Sequence, residues 1–310
     1  MRATYVVTGG AGFIGSHLCE ALLARGDHVR VLDDLSTGKR ENLAAAVELI
    51  EGDIADAAAV RRAVEGVAGC FHLAAIASVE RGITDWLGTH RANLAGAITL
   101  FDTVRQMTGM VPVVYASSAA VYGDAASLPI TEITECRPLS AYGADKYACE
   151  LHARVASHVH GVPTVGLRFF NVYGPRQDPR SPYSGVISIF CERIRRAAPI
   201  DVYGDGGQTR DFVYVADVVT ALLAAMQLRP TDAPVFNVCT GNAASVLDLA
   251  HLIAEAAGTT LDARHRPPRA GEIRHSTGSR ALSQAALSLP TPIALRTGIA
   301  KVLDWLATAS

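Results

Sequence analysis

The first forty residues leave little freedom in what this chain can become. A short apolar run at 3–8 leads into Gly9-Gly10-Ala11-Gly12-Phe13-Ile14-Gly15, then a helix-forming stretch at 16–24, then a second apolar run at 29–32 that ends in Asp33-Asp34. Strand, glycine turn, helix, strand and acid describe a βαβ unit that binds a dinucleotide. Gly9 and Gly12 let the chain turn sharply and bring backbone N–H groups close to a pyrophosphate. Gly15 removes the side chain that would hold helix and strand apart. The free N–H groups and the dipole at the helix N-terminus favour the negative charge placed there.

The acid at the end of the second strand selects the cofactor. Asp33 can accept both hydroxyls of an adenosine ribose and repels a 2'-phosphate, which favours NAD over NADP, although Lys39 and Arg40 nearby weaken the exclusion. A third strand at 47–50 ends at Gly52-Asp53-Ile54, where Asp53 can accept from the adenine amino group and Ile54 can cover the ring. A fourth, at 69–73, ends at Leu73-Ala74-Ala75, small residues suited to the space beside a cofactor. Residues 84–107 read as one long helix containing Asn93, either an exposed polar position or a side chain that reaches the loop after the fourth strand. A fifth strand at 111–115 runs into Ser117-Ser118. The expected fold class is α/β: a doubly wound, Rossmann-type parallel sheet with ligands at its strand ends.

With 310 residues, 28 basic and 30 acidic side chains and a formal charge of -2, the chain has room for a large core and no field that calls for nucleic acid or an anionic membrane. No apolar run reaches the roughly 20 residues that span a bilayer. The glycine turn arrives too early for a secretory segment, so the expectation is a soluble cytoplasmic protein. The six cysteines lack CxxC spacing and read as small core residues, and the ten histidines form no metal-ligand pattern. His152, His158 and His160 belong on or just beyond a helix.

Chemistry is suggested by Tyr142 and Lys146, four residues apart on a helix at 141–158 and so on one face. A neighbouring ammonium favours phenolate, which turns the tyrosine into a usable base. Ser118, at a strand end, can hydrogen-bond the same substrate oxygen. Beside a dinucleotide, these three make a hydride-transfer site.

From Asn171 the regular alternation of strand and helix breaks. A turn at 173–176 and a loop at 180–185 precede a helix at 186–195, short strands follow at 200–203 and 209–214, and a helix at 215–226 with a strand at 235–238 returns to the main layer. The expected division is therefore a nucleotide domain of 1–171 completed by 213–239, a discontinuous substrate domain of 172–212 and 240–290, and a closing helix within 291–310. Asn171, Arg210 and Arg269 are candidates for the rest of the substrate, two guanidiniums from separate segments being able to clamp a diphosphate. Tyr203 can stack on a base.

Taken together, Thr8 to Gly15, Asp33-Asp34-Leu35-Ser36-Thr37-Gly38, His72-Leu73-Ala74-Ala75, Ser117-Ser118-Ala119-Ala120-Val121-Tyr122-Gly123, Tyr142 with Lys146, residues 168–176, Gln208-Thr209-Arg210-Asp211-Phe212 and Arg269-Ala270-Gly271-Glu272 stand in family order. The chain thus resembles the extended short-chain dehydrogenase/reductases, and within them the nucleotide-sugar 4-epimerases, over nearly its whole length. The resemblance implies a tightly retained NAD, oxidation of the sugar at C4 with Tyr142 as base, rotation of the 4-keto sugar, and return of the hydride to its other face. It also implies a UDP-sugar held by Asn171, Tyr203, Arg210 and Arg269, a polar contact from Asn93 near the nicotinamide, and a homodimer paired through the helices around 84–107 and 142–158.

Ala119 and Ala120 depart from the related dehydratases and decarboxylases, which carry acids there; an alanine cannot transfer the proton that those reactions need. The same cleft would also serve a net oxidoreductase that exchanges its cofactor, or a non-catalytic NAD-binding protein, although the latter has little reason to keep Ser118, Tyr142 and Lys146 together. The run from Arg176 to Val186 resembles that of epimerases accepting N-acetylated hexoses, which brings Val186 into the expected substrate set. Ser276 stands where a tyrosine excludes the acetamido group in other members, so UDP-GlcNAc and UDP-GalNAc are the expected substrates, with UDP-Glc and UDP-Gal beside them. A uronic acid epimerase stands close behind, with Arg180 or another basic residue meeting the C6 carboxylate.

Overall fold

A computed structural model describes residues 2–179, 185–268 and 273–308. The strands are β1 (Thr4–Thr8), β2 (His28–Asp33), β3 (Glu48–Glu51), β4 (Gly69–His72), β5 (Val113–Ser118), β6 (Thr164–Phe169), β7 (Asn171–Tyr173), β8 (Ile200–Tyr203), β9 (Thr209–Tyr214), β10 (Val235–Val238), β11 (Ala243–Ser245), β12 (Ala263–Arg266) and β13 (His275–Ser276). The helices are α1 (Phe13–Ala24), α2 (Ala57–Val64), α3 (Val79–Thr84), α4 (Trp86–His90), α5 (Gly96–Val104), α6 (Ala141–His160), α7 (Val186–Arg195), α8 (Val215–Ala225), α9 (Val246–Ala257), α10 (Ala281–Leu287) and α11 (Leu295–Thr308).

Seven strands form the main sheet in the order β10-β6-β5-β4-β1-β2-β3, and every pairing in it is parallel. This is the expected doubly wound α/β arrangement. β1 shows why it is so placed: Val6 packs into the core under α2, α5 and α6, Val7 into the core under α1 and α8, and both are fully buried. A strand with apolar side chains on both faces belongs in the middle of a parallel sheet covered on both sides. Burying each such side chain stabilises the fold by about 1.5–3 kcal/mol. Chain order reverses between β1 and β4, which opens a crevice at their C-terminal ends.

The second unit is centred on β9, which pairs with β7, β11 and β13, beside a small β8–β12 pair. Its core draws on α7, α9 and α11. Close packing of the closing helix requires Gly298, where a methyl group would overlap the Tyr173 hydroxyl.

Several boundaries differ from the sequence reading. The helix expected at 16–24 begins at Phe13, and the fifth strand continues to Ser118 rather than stopping at 115. The helix expected at 84–107 is interrupted: α4 passes into a π-helical turn, Arg91–Ala95, before α5. Within 264–276, which reads from sequence as an extended basic segment, the structure forms most of β12 and all of β13, and α3, β7 and α10 are additional elements. All six cysteines are free; five are buried and Cys136 is half-buried. Among the described residues, no helix is long and apolar enough to cross a membrane, and no three His, Cys, Asp or Glu side chains gather as a metal site.

Candidate active site

A cavity of about 1420 Å³ opens at the crevice between β1 and β4. Its floor is the turn between β1 and α1. Gly9 has φ +70°, and a methyl group on it would come within 2.7 Å of the Ala74 backbone nitrogen. A methyl on Gly15 would overlap the Gly9 carbonyl oxygen. Gly12 caps α1 with no side chain bonded to the free N–H groups, which leaves them for an anion. Phe13 and Ile14 complete this wall.

Asp33 ends β2 on the same cavity. Its Oδ2 accepts from the Ala11 N–H and its Oδ1 from the Leu35 N–H, each at 2.9 Å. Burial raises its pKa, and the two N–H donors work against that rise. Each oxygen keeps a lone pair for a further donor. Asp34 turns to its own loop, accepting from the backbone and side chain of Ser36 at 2.9 and 2.6 Å. Lys39 and Asp178, both on the cavity wall, form an ion pair of 2.9 Å that joins the loop after β2 to the one after β7.

Further along, Asp53 and Ile54 line the cavity together with Leu73, Ala74 and Ala75. Asp53 also takes a bond from Arg91 at 2.8 Å and one from the Ala55 N–H at 2.8 Å. Asn93 does not line the cavity. It sits buried in the π-helical turn, its Oδ1 accepting from the Ile76 N–H at 2.7 Å and its Nδ2 donating to the Ile76 carbonyl at 3.2 Å. This is the second of the two readings that the sequence offered, a side chain that reaches the loop after the fourth strand. Both ends of the amide bond the same residue, Ile76, through its N–H and its carbonyl.

Ser118, Tyr142 and Lys146 all face the cavity. Ser118 is the last residue of β5, and its Oγ accepts from the Ala120 N–H at 3.2 Å. Ser140 caps α6, accepting from the Gly143 N–H, so the helix starts just before Tyr142. Lys146 is buried; its Nζ donates to the Ala116 carbonyl at 2.9 Å and lies 5.8 Å from the centroid of the Tyr142 ring. Behind it, burial lowers the His72 imidazole to about 3, helped by the Lys146 charge, so His72 is neutral and adds no competing cation.

Of the expected substrate residues, Asn171 lines the cavity. Val186, Tyr203, Arg210 and Ser276 do not: Val186 opens α7, Tyr203 ends β8, and Arg210 and Ser276 are direct partners in the β9–β13 pairing. Arg180 and Arg269, with the rest of the Arg269-Ala270-Gly271-Glu272 run, lie outside the described residues. Sequence reading missed Ile76, Ala77 and Arg81 on the cavity wall; none has a type or spacing that marks it.

A dinucleotide fits the groups present: a glycine cradle that a side chain would fill, an uncapped helix N-terminus and an acid beyond it. The comparisons agree. Residues 5–239 match the NAD dependent epimerase/dehydratase family. A UDP-glucose 4-epimerase of Mycolicibacterium smegmatis is 36% identical over 312 residues, covering 98% of this chain and 99% of that protein. The structure of a UDP-N-acetylglucosamine 4-epimerase from Methanobrevibacter ruminantium, in complex with UDP-N-acetylmuramic acid, superimposes with a TM-score of 0.94 at 32% identity, covering 100% of this chain and 99% of that one. A Thermus thermophilus UDP-glucose 4-epimerase complex with NAD gives 0.90 at 36% identity, covering 99% and 100%.

Proposed function

The chain belongs to the NAD dependent epimerase/dehydratase family, and on that premise we propose that it is a UDP-sugar 4-epimerase that retains NAD and inverts C4 through a 4-keto sugar. The observation that carries this reading is one cavity lined by the glycine cradle, Asp33, Ser118, Tyr142 and Lys146. Gly9, Gly12, Gly15 and Asp33 hold the cofactor, with Phe13, Ile14, Asp53, Ile54 and residues 73–75 around it. Bound NAD supplies a hydride acceptor, and later donor, for the sugar C4. Tyr142 takes the proton of the C4 hydroxyl and returns it; the buried Lys146 Nζ lies 5.8 Å from the centre of its ring, and Ser118 hydrogen-bonds the same oxygen. Asn171 meets the substrate from the cavity wall; Val186, Tyr203, Arg210 and Arg269 are assigned to it by the family resemblance alone, and the hexose stays free to present its other face. Ala119 and Ala120 offer no acid for loss of water.

N-acetylated hexoses are the preferred substrates in this reading, which rests on the resemblance: Ser276, set outside the cavity wall itself, stands where a tyrosine excludes the acetamido group in other members. The test is a product assay without added NAD on matched UDP-Glc, UDP-GlcNAc and UDP-GlcA, with the C4 configuration read by NMR. Inversion of UDP-GlcNAc is expected; unchanged C4 in every sugar defeats the proposal. Ser276→Tyr should lose UDP-GlcNAc turnover before UDP-Glc turnover, and equal loss on both would remove the gate.

A homodimer belongs to the same proposal. Leu151, Val155 and Val159 recur every four residues on the outer face of α6, and Ile83, Trp86 and Leu87 lie on the helices beside it, all six being exposed. An apolar strip of this kind suits a second copy. Light scattering that gives a monomer mass at micromolar concentration would exclude it.

A further inference from the structure

Below Tyr142, α6 carries a buried charge that the proposed reaction does not use. Tyr142, Lys146 and Glu150 follow at intervals of four residues and share one helix face. The lower two both reach the end of β5. Lys146 Nζ donates to the Ala116 carbonyl at 2.9 Å, and Ser117 Oγ donates to Glu150 Oε1 at 2.5 Å. The next residue is Ser118. Glu150 is held in turn by Arg168, whose Nε and Nη2 donate to its two oxygens at 2.8 and 2.6 Å. Both side chains are at most 7% exposed.

The arrangement continues away from the helix. Arg168 Nη1 donates to the Tyr122 hydroxyl at 2.8 Å, and that hydroxyl donates to Asn237 Oδ1 at 2.6 Å. Asn237 Nδ2 donates to the Ile130 carbonyl at 3.1 Å, and the Ile130 N–H donates to the carbonyl of Thr277, the residue after Ser276, at 2.8 Å.

We infer that Glu150 is a positioning residue: it sets the height of Ser117, and therefore of Ser118, against the helix turn that presents Tyr142. This rests on the reading of Ser118 and Tyr142 as the pair that handles the C4 hydroxyl. A buried ion pair adds little net stability over apolar side chains of the same shape, so strength is a poor account of its presence. Its geometry is another matter. A carboxylate fixed on both oxygens by one guanidinium has a single orientation, and the Ser117 hydroxyl must meet it there. A shift of about 1 Å at reacting groups lowers rate by about 10²-fold, so a strand end set by such a bond bears directly on turnover.

Two variants separate this role from a structural one. Ser117→Ala removes the hydroxyl but leaves the Glu150–Arg168 pair whole; Glu150→Asp keeps a charge for Arg168 and withdraws the carboxylate from Ser117 by one methylene. In each, kcat for C4 inversion is expected to fall about tenfold, KM for the UDP-sugar to stay within about twofold, and the isotope effect on kcat with C4-deuterated substrate to rise, because the chemical step becomes slower relative to the others. Thermal melting identifies any loss due to unfolding, which lowers the apparent kcat without moving the isotope effect. Wild-type kcat and isotope effect in both variants, or a kcat loss with an unmoved isotope effect, would overturn the assignment. A wild-type chain that leaves C4 unchanged instead overturns the functional reading, and this inference falls with it.

Discussion

The nucleotide side of the cleft is framed mainly by residues 4–54, where a glycine turn leaves backbone N–H groups open and side chains absent, with residues 73–75 beside it. The candidates for the sugar side come from β7, α7, β8, β9 and β13, and in the proposed reading they would act through side chains. Backbone recognition needs its residues adjacent in sequence, because a turn is a local object. Side-chain recognition needs them adjacent only in space, so its parts are scattered and can be exchanged one at a time. The first kind of site keeps a cofactor; the second kind adjusts a substrate.

Four substitutions test this contrast. Tyr142→Phe lies where the two sides meet and should have the largest effect, a fall in C4 inversion of about 10³-fold by NMR product assay, with NAD content unchanged. Gly15→Ala should weaken NAD retention by about 10- to 100-fold, read as cofactor released on dilution, since the added methyl must displace the turn itself. If it binds normally, the backbone account of the nucleotide side fails. Arg210→Ala should weaken the nucleotide-sugar by about tenfold in calorimetry, the scale of one charged hydrogen bond, and leave NAD alone. Loss of both ligands would show the two sides to be one unit. Lys39→Ala, which opens the ion pair with Asp178, should have the smallest effect, about a twofold rise in NAD release that disappears at high salt, because the pair is exposed.

The same contrast explains what could be read without the structure. The glycine turn, Asp33 and the stripe of Tyr142 and Lys146 were legible because their meaning lies in spacing along the chain. Asn93 was legible in part: its reach to the loop after the fourth strand was one of two readings, and the structure bears that one out at Ile76, from a π turn that no spacing announces. β13 is two residues long and exists only through pairing with β9, so periodicity had nothing to detect. Glu150 was half legible: it continues the helix stripe by four residues, but its partners Ser117 and Arg168 come from β5 and β6 and appear only once the sheet is formed.

The cysteines give the chain a labelling pattern of its own. Burial raises the thiol pKa of Cys19, Cys70, Cys149, Cys191 and Cys239, and the half-exposed Cys136 is shifted in the same direction. A maleimide dye will therefore attach at Cys136 first, and will do so faster in alkaline buffer, where more thiolate is present. Cys136 packs against the apolar cluster that holds Tyr122 and Ile130, so fluorescence from that one probe would register a disturbance of this end of the hydrogen-bonded chain that leaves Arg168.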